Sequence, residues 1–341
     1  MKRNIKIKQW IFAFIIALAL AWIVKGLVFQ SFTIKSYKME KTALKGDYIF
    51  VNKLIYGARM PVALLSLPFF PSVYTDVITL PYLRMPGFGK INRCDVIVFN
   101  YPLQFDPPTD KKDIMISRCI GLPGDTVRIT KKNIFINNQF VDCSKLKQFN
   151  FRIVAKNGKL PDSFTKKYKI NQGGIVSDIG IYDFPLDSIK LEQVKHDDNV
   201  RYIRELKDFP GESSRFIFPV GNFYAFNKDY FGPVIVPYKG QTIKLNAKTL
   251  EMYKTLIVEY EKNRFEIKNH KVYINNIPQT TYTIKNNYYF VVDDNRDNAK
   301  DSRYWGFLSE SHIIGKASFV WFSYDLDNKK TRWNRIFTSL N

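Results

Sequence analysis

Ile114-Met115-Ile116-Ser117-Arg118-Cys119-Ile120, followed at once by Gly121-Leu122-Pro123-Gly124-Asp125, is the stretch from which the architecture of this chain reads out. A run of β-branched and apolar residues broken by a Gly/Pro cluster marks a strand delivered into a tight turn. No Gly-Lys-Ser/Thr follows, so a turn is expected there and not a phosphate-binding loop. Working outward, the same pattern recurs at Tyr48-Ile49-Phe50-Val51, Val96-Ile97-Val98-Phe99, Ile134-Phe135-Ile136, Leu256-Ile257-Val258, Val272-Tyr273-Ile274, Tyr288 to Val292 and Phe319-Val320-Trp321-Phe322. These short runs, bounded by Gly, Pro, Asn or Asp, predict a mostly β fold. Asn137-Asn138 and Asn275-Asn276 are expected at hairpin turns, because Asn tolerates positive φ.

At 341 residues the chain has room for about two domains. Hydrophobic residues make up 45% and aromatics 16%, too much apolar matter for a chain that stays unfolded. Lys and Arg number 52 against 31 Asp and Glu, a formal net charge of +21 that raises nucleic acid, an anionic membrane surface or acidic substrates as partners. Cys94, Cys119 and Cys143 are odd in number, with no CxxC pair and no His cluster beside them. Neither a disulfide framework nor a zinc site is expected. His196, His270 and His312 give no support to a His-based triad.

Lys2, Arg3, Lys6 and Lys8 precede an apolar run from Trp10 to Phe29, interrupted by Lys25 and Gly26. A run of about 20 such residues crosses a hydrocarbon core as a helix. The positive-inside rule then keeps the basic head cytoplasmic, making this a single-pass protein of the cytoplasmic (inner) membrane with its bulk extracytoplasmic. A cleaved signal peptide is the competing reading, but the apolar run continues past Ala17-Leu18-Ala19 instead of ending there. That orientation keeps the basic surface away from the chromosome, so anionic lipid headgroups are the expected partner and nucleic acid is not; each Lys or Arg near such a surface adds about 1 kcal/mol. Met60 to Gly89, rich in proline, reads as an extended surface loop, and Asp142 to Arg215 shows no period and reads as an insertion.

Four blocks stand out beyond the strands. They are Ser36-Tyr37-Lys38-Met39-Glu40-Lys41-Thr42 with Gly46 to Lys53; Arg93 to Phe99; Ser117-Arg118-Cys119-Ile120-Gly121-Leu122-Pro123-Gly124-Asp125; and Asp294-Asn295-Arg296-Asp297-Asn298-Ala299-Lys300-Asp301-Ser302-Arg303-Tyr304-Trp305-Gly306. In order and in position after one apolar span, they resemble bacterial signal peptidase I over residues 8 to 130 and 220 to 325. The resemblance implies a mostly β, signal peptidase I-like fold with an inserted second β subdomain and one N-terminal transmembrane helix. It implies a cytoplasmic head at 1–9, an anchor at 10–29, a β core from 30–130 and 286–325, an insertion at 131–285 and a C-terminal tail at 326–341. It also implies an endopeptidase that cuts signal peptides from exported preproteins with a Ser/Lys dyad and without metal or organic cofactor.

The chain departs from the family at the dyad itself. Where the family has the nucleophilic serine this chain has Lys38, and where it has the lysine base this chain has Ser117. Ala299 replaces a serine that contacts the lysine, and Asp293 replaces a glycine. Ser36 matches the side-chain donor of the family's oxyanion hole, whose other donor is the backbone N–H of residue 38. Arg118 with Asp294, and Asp301 with Arg303, match two structural ion pairs; Ile34, Met39, Met115 and Ile116 match the pocket for the small residue before the cut. The aspartates of the last block lack calcium-loop spacing, so pairing with Arg296 and Arg303 is expected of them.

Three readings of the exchange stand. Ser117 attacks with Lys38 as base; or the site is inactive, with Lys38 and Asp293 in a salt bridge; or Ser36 attacks, with Lys38 on the same face of a strand two residues away. An inactive site could still hold a signal peptide along a sheet edge without cleaving it. The discriminating contact is whether the Ser117 hydroxyl or the Asp293 carboxylate reaches the Lys38 amine.

Overall fold

The computed structural model describes residues 2–60, 62, 82–144 and 147–340. Most of the proline-rich loop expected over 60–89 lies outside them, at residues 61 and 63–81. The fold is mostly β. Helix α1 (Lys2–Ile23) leads through one wider helical turn, Val24–Val28, into strand β1 (Phe29–Thr33). The stretch Ile7–Val28 is long and apolar enough to cross a membrane.

The main antiparallel sheet runs from β1 through β2 (Asp47–Asn52), the long strand Ile313–Asp325, β3 (Val96–Asn100), β4 (Ile114–Gly121) and Tyr288–Val292 to Leu308–Ser309. Every residue of β3 is buried, which fits the unbroken apolar run Val96-Ile97-Val98-Phe99 in a central strand. At β2 burial alternates strictly, the period-2 signature of a strand with one face on the core. The C-terminal residues are not a loose tail: Lys330–Thr331 pairs with Ile313–Asp325, Leu340 is buried, and Arg335 bonds Asp47.

Asn137-Asn138 and Asn275-Asn276 both have positive φ and sit between paired strands, as expected. Lys131-Lys132 makes the same left-handed turn, between Thr126–Thr130 and Asn133–Ile136. Side chains other than Asn and Gly are strained there; buried Lys132 is held in place by Asp297 at 2.8 Å and Asp229 at 3.3 Å.

Two expectations are corrected. Leu256-Ile257-Val258 is helical, continuing the helix Ala247–Thr255. Asn246 and Thr249 form a capping box at its start, and Met252 and Leu256, four apart, both face the core. Residues 142–215, in which no period was read, hold a four-stranded sheet of Phe149–Ala155, Gly174–Ser177, Ile181–Leu186 and Val200–Glu205, in keeping with the expected inserted β subdomain. The alternation is present at Phe151, Ile153 and Ala155, all buried, with Asn150, Arg152 and Val154 between and beside them, and the apolar Val154 blurs it. Finally, Cys94 and Cys143 form a disulfide, leaving Cys119 buried and free.

The two half-cystines lie 49 residues apart, beyond the reach of any short spacing rule. Closing a loop of that length restricts the unfolded chain by about 4 kcal/mol. Replacing both by serine is therefore expected to lower unfolding free energy by about 4 kcal/mol, measured by urea unfolding of the oxidised protein. An unchanged midpoint would remove the bridge from the account.

Candidate active site

The segment from Ser31 to Ser36 and the first half of β4 form opposite walls of a cleft of about 670 Å³, with Ile49 and Val98 from β2 and β3 between them. Among the described residues β1 is the outermost strand and pairs only with β2. β4 pairs with Tyr288–Val292 only over Arg118 to Gly121, so Ile114 to Ser117 keep one edge without a strand partner among the described residues. Two unpaired edges thus border one cleft, an arrangement open to an added strand.

Ile34, Ser36, Lys38, Met115 and Ile116 line this cleft, together with Tyr101, Lys112, Asp113 and Lys300. Met39, expected beside them, does not line the cleft surface; it is buried in one core cluster with Ile34, Ile49, Val98 and Ile116, and its sulfur accepts from the Asp294 N–H at 3.4 Å.

Behind the cleft wall, Ser117 is at 0% exposure and its hydroxyl donates to Asp293 Oδ1 at 2.5 Å. The other carboxylate oxygen accepts from the Lys300 N–H at 2.9 Å, and the Asp293 N–H donates to Asp301 at 3.0 Å. Burial, and then the charge of Asp301, raise the Asp293 carboxyl to about 7. Burial lowers the Lys38 amine from its usual range, outweighing the opposing pull of Asp293. The expected Lys38–Asp293 salt bridge is not formed: no acceptor lies within hydrogen-bond or ion-pair distance of the amine among the described residues. Lys38 and Ser117 nevertheless converge from distant parts of the chain upon the same carboxylate. Residues 36–38 lie in a bend and turn, not a strand, so Ser36 and Lys38 reach one cleft by a route other than strand alternation.

Arg118 holds Asp294 through two parallel bonds, Nε to Oδ1 at 3.0 Å and Nη2 to Oδ2 at 2.9 Å. Arg303 holds Asp301 in the same way, at 3.0 and 2.8 Å. Among the described residues Arg296 makes no ion pair, contrary to expectation; Asp297 is taken up by Lys132 and Lys228, both from outside the block. The insertion also supports the loop: Gln172 Oε1 accepts from Asn295 at 2.9 Å and Asn298 at 3.1 Å, and Asn171 bonds Glu40. Nothing in the local sequence marked Gln172, Tyr101 or Lys112, which only the folded chain brings to the loop and the cleft; Lys300 lies within the fourth block, but no role was read for it.

A family model described as Signal peptidase, peptidase S26, matches residues 7–178 and 233–322. This chain belongs to the signal peptidase family. Signal peptidase I of Buchnera aphidicola subsp. Acyrthosiphon pisum is 28% identical over 327 residues, covering 92% of this chain and 76% of that protein. Signal peptidase I of Pseudomonas aeruginosa is 24% identical over 92% of this chain and 71% of its own length, and that of Rickettsia typhi 24% over 100% and 88%. The signal peptidase match covers both cleft walls and the Asp294 block, and is broken only over residues 179–232.

One stability prediction arises from this signal peptidase site. Asp293 is raised, so the fold favours its protonated form; that stabilisation is full below pH about 3.8 and is lost as pH rises toward 7. The groups acting on it are Asp301, Lys38, Ser117 and the Lys300 N–H. Asp293→Asn, which cannot ionise, is expected to lose less stability than the wild type between pH 4 and 7. Parallel thermal-midpoint profiles for the two proteins would refute it.

Proposed function

We propose that this chain is a membrane-anchored serine endopeptidase that removes signal peptides from exported preproteins, with Ser36 as nucleophile and Lys38 as its general base. The observation that carries the reading is that Ser36 and Lys38 line one cleft, while Ser117 lies behind its wall at 0% exposure with its hydroxyl donated to Asp293. A preprotein enters extended along the unpaired edges, its small residue resting on Ile34, Met115 and Ile116. The neutral Lys38 amine takes the Ser36 Oγ proton as that oxygen bonds to the acyl carbon, and gives it to the departing amine. Water, deprotonated by the same amine, then cleaves the ester and releases the carboxylate. The Lys38 N–H, without an acceptor among the described residues, is positioned to receive the developing oxyanion.

A second reading keeps the exchanged dyad, Ser117 attacking with Lys38 as base; in its favour is the convergence of both residues on Asp293. It requires the Ser117 hydroxyl to leave its 2.5 Å bond and reach the cleft, and displacements near 1 Å already cost about 100-fold.

The apolar stretch Ile7–Val28 is the anchor in this reading, with the basic head cytoplasmic and the bulk of the chain outside. The Cys94–Cys143 bridge fits an oxidising compartment. Anionic lipid is the second partner; exposed Phe29 and Trp321, on and bonded to the strand that leaves the anchor, suit a headgroup layer. The test is incubation of the full chain, in mild detergent, with a preprotein bearing a small-x-small site. A product whose new N-terminus follows the small residue is expected; intact preprotein with folded enzyme would overturn the proposal.

A further inference from the structure

The charged residues lining the cleft are unbalanced: Lys35, Lys38, Lys112 and Lys300 against Asp113 alone. Asp113 is turned to Gln104, whose amide donates to its carboxylate at 2.8 Å. Lys112 points inward, its amine 3.3 Å from His312 Nε2, so it contributes positive charge from behind the wall. Lys35 and Lys300 are exposed, and neither has a carboxylate within ion-pair distance among the described residues. Lys300 is the better placed of the two. Its backbone is pinned by Asp293 at 2.9 Å and its ammonium stands 4.0 Å from the centre of the Tyr101 ring, which also lines the cleft. A ring face under an ammonium limits where that charge can go while leaving it open to an anion.

We infer that the cleft selects extended peptides carrying Asp or Glu close to the scissile bond, with Lys300 and Lys35 reading the charge. The inference rests on the endopeptidase reading above for the identity of the peptide, and adds a demand on its sequence. Charge complementarity of this kind discriminates among partners and steers encounter, and salt weakens it. Lys300 acts on the chemistry as well, because its positive charge opposes protonation of Lys38.

Binding separates this inference from turnover. Two peptides spanning a small-x-small site, labelled with a neutral dye and identical except for Asp or Asn at the residues flanking the small residue, are titrated with the full chain in non-ionic detergent. At low salt the Asp peptide is expected to bind about tenfold tighter, and the difference to shrink in 0.5 M salt, where the Debye length falls to about 4 Å. Lys300→Glu should abolish or reverse the preference, Lys300→Gln and Lys35→Gln should each reduce it. Equal affinities, or a preference that survives Lys300→Glu combined with Lys35→Glu, would overturn the inference. Asp-selective binding without cleavage of either peptide would count against the endopeptidase reading and leave this one standing; cleavage without selectivity would do the reverse. In a cleaving enzyme, Lys300→Glu also moves the acid limb of the kcat profile to higher pH, which a merely structural role for Lys300 would not do.

Discussion

Ser36→Ala is expected to lower kcat on a model preprotein by about a thousandfold, and Lys38→Met by about the same factor. The two losses should not add in the double variant, because a nucleophile without its base and a base without its nucleophile are equally disabled. Met at 38 keeps the length of the side chain and removes only the amine, so the comparison isolates proton transfer. Ser117→Ala, in contrast, removes a hydroxyl that is buried and bonded to Asp293, and is expected to leave turnover within about tenfold of the wild type. Single-turnover cleavage of a radiolabelled preprotein reads all four proteins. A thousandfold loss from Ser117→Ala with a mild effect of Ser36→Ala would transfer the attack to Ser117 and install the exchanged dyad. The wild-type rate should rise with pH through a value below the usual lysine range, since burial lowers Lys38 and only its neutral form accepts a proton.

The largest effect on stability is expected at Arg118. Its side chain is 4% exposed and that of Asp294 1%, and Arg118 also donates to the Thr42 hydroxyl and the Cys94 carbonyl, both at 3.0 Å. Arg118→Leu fills much of the volume but leaves a carboxylate buried without its counter-charge, a change that costs about 4 kcal/mol. Arg118→Lys keeps a charge without the two-pronged fit and should fall between. The sign with pH follows from Asp294, whose carboxyl is held below its ordinary value by Arg118, by Thr42 and by the charge of Arg296 against the opposing effect of burial. A depressed acid stabilises above its unfolded value and loses that contribution as pH falls through the folded one. The wild type should therefore lose stability in acid while Arg118→Leu, already lacking the pair, loses less. Urea unfolding at pH 7 and pH 3 measures both; equal midpoints for Arg118→Leu and wild type at pH 7 would refute the assignment.

Strands written as compact apolar runs were legible from the chain alone, because a buried pleat demands such runs wherever it occurs: Val96-Ile97-Val98-Phe99 became the central strand β3. Leu256-Ile257-Val258 has the same local composition, and there the cap set by Asn246 decided for helix. A three-residue window does not contain that information. The loop pairs Arg118–Asp294 and Arg303–Asp301 were legible through the family's blocks. What escaped was each contact made between remote segments: Cys94 with Cys143, Lys132 with Asp297, and Gln172 with Asn295 and Asn298. At the site, the residue types at 38, 117 and 293 were plain, but their pairing was not. Asp293 could have met Lys38 or Ser117, and burial of the serine settled the choice.

Gln172 gives the insertion a share in the architecture of the loop. A shortened chain that joins residue 142 directly to residue 215 would turn the Asn295 and Asn298 amides toward solvent and release Glu40 and Lys41 from Asn171 and Asp187. The span behaves less like an ornament than like a splint, held against the loop by Gln172, Asn171 and Asp187.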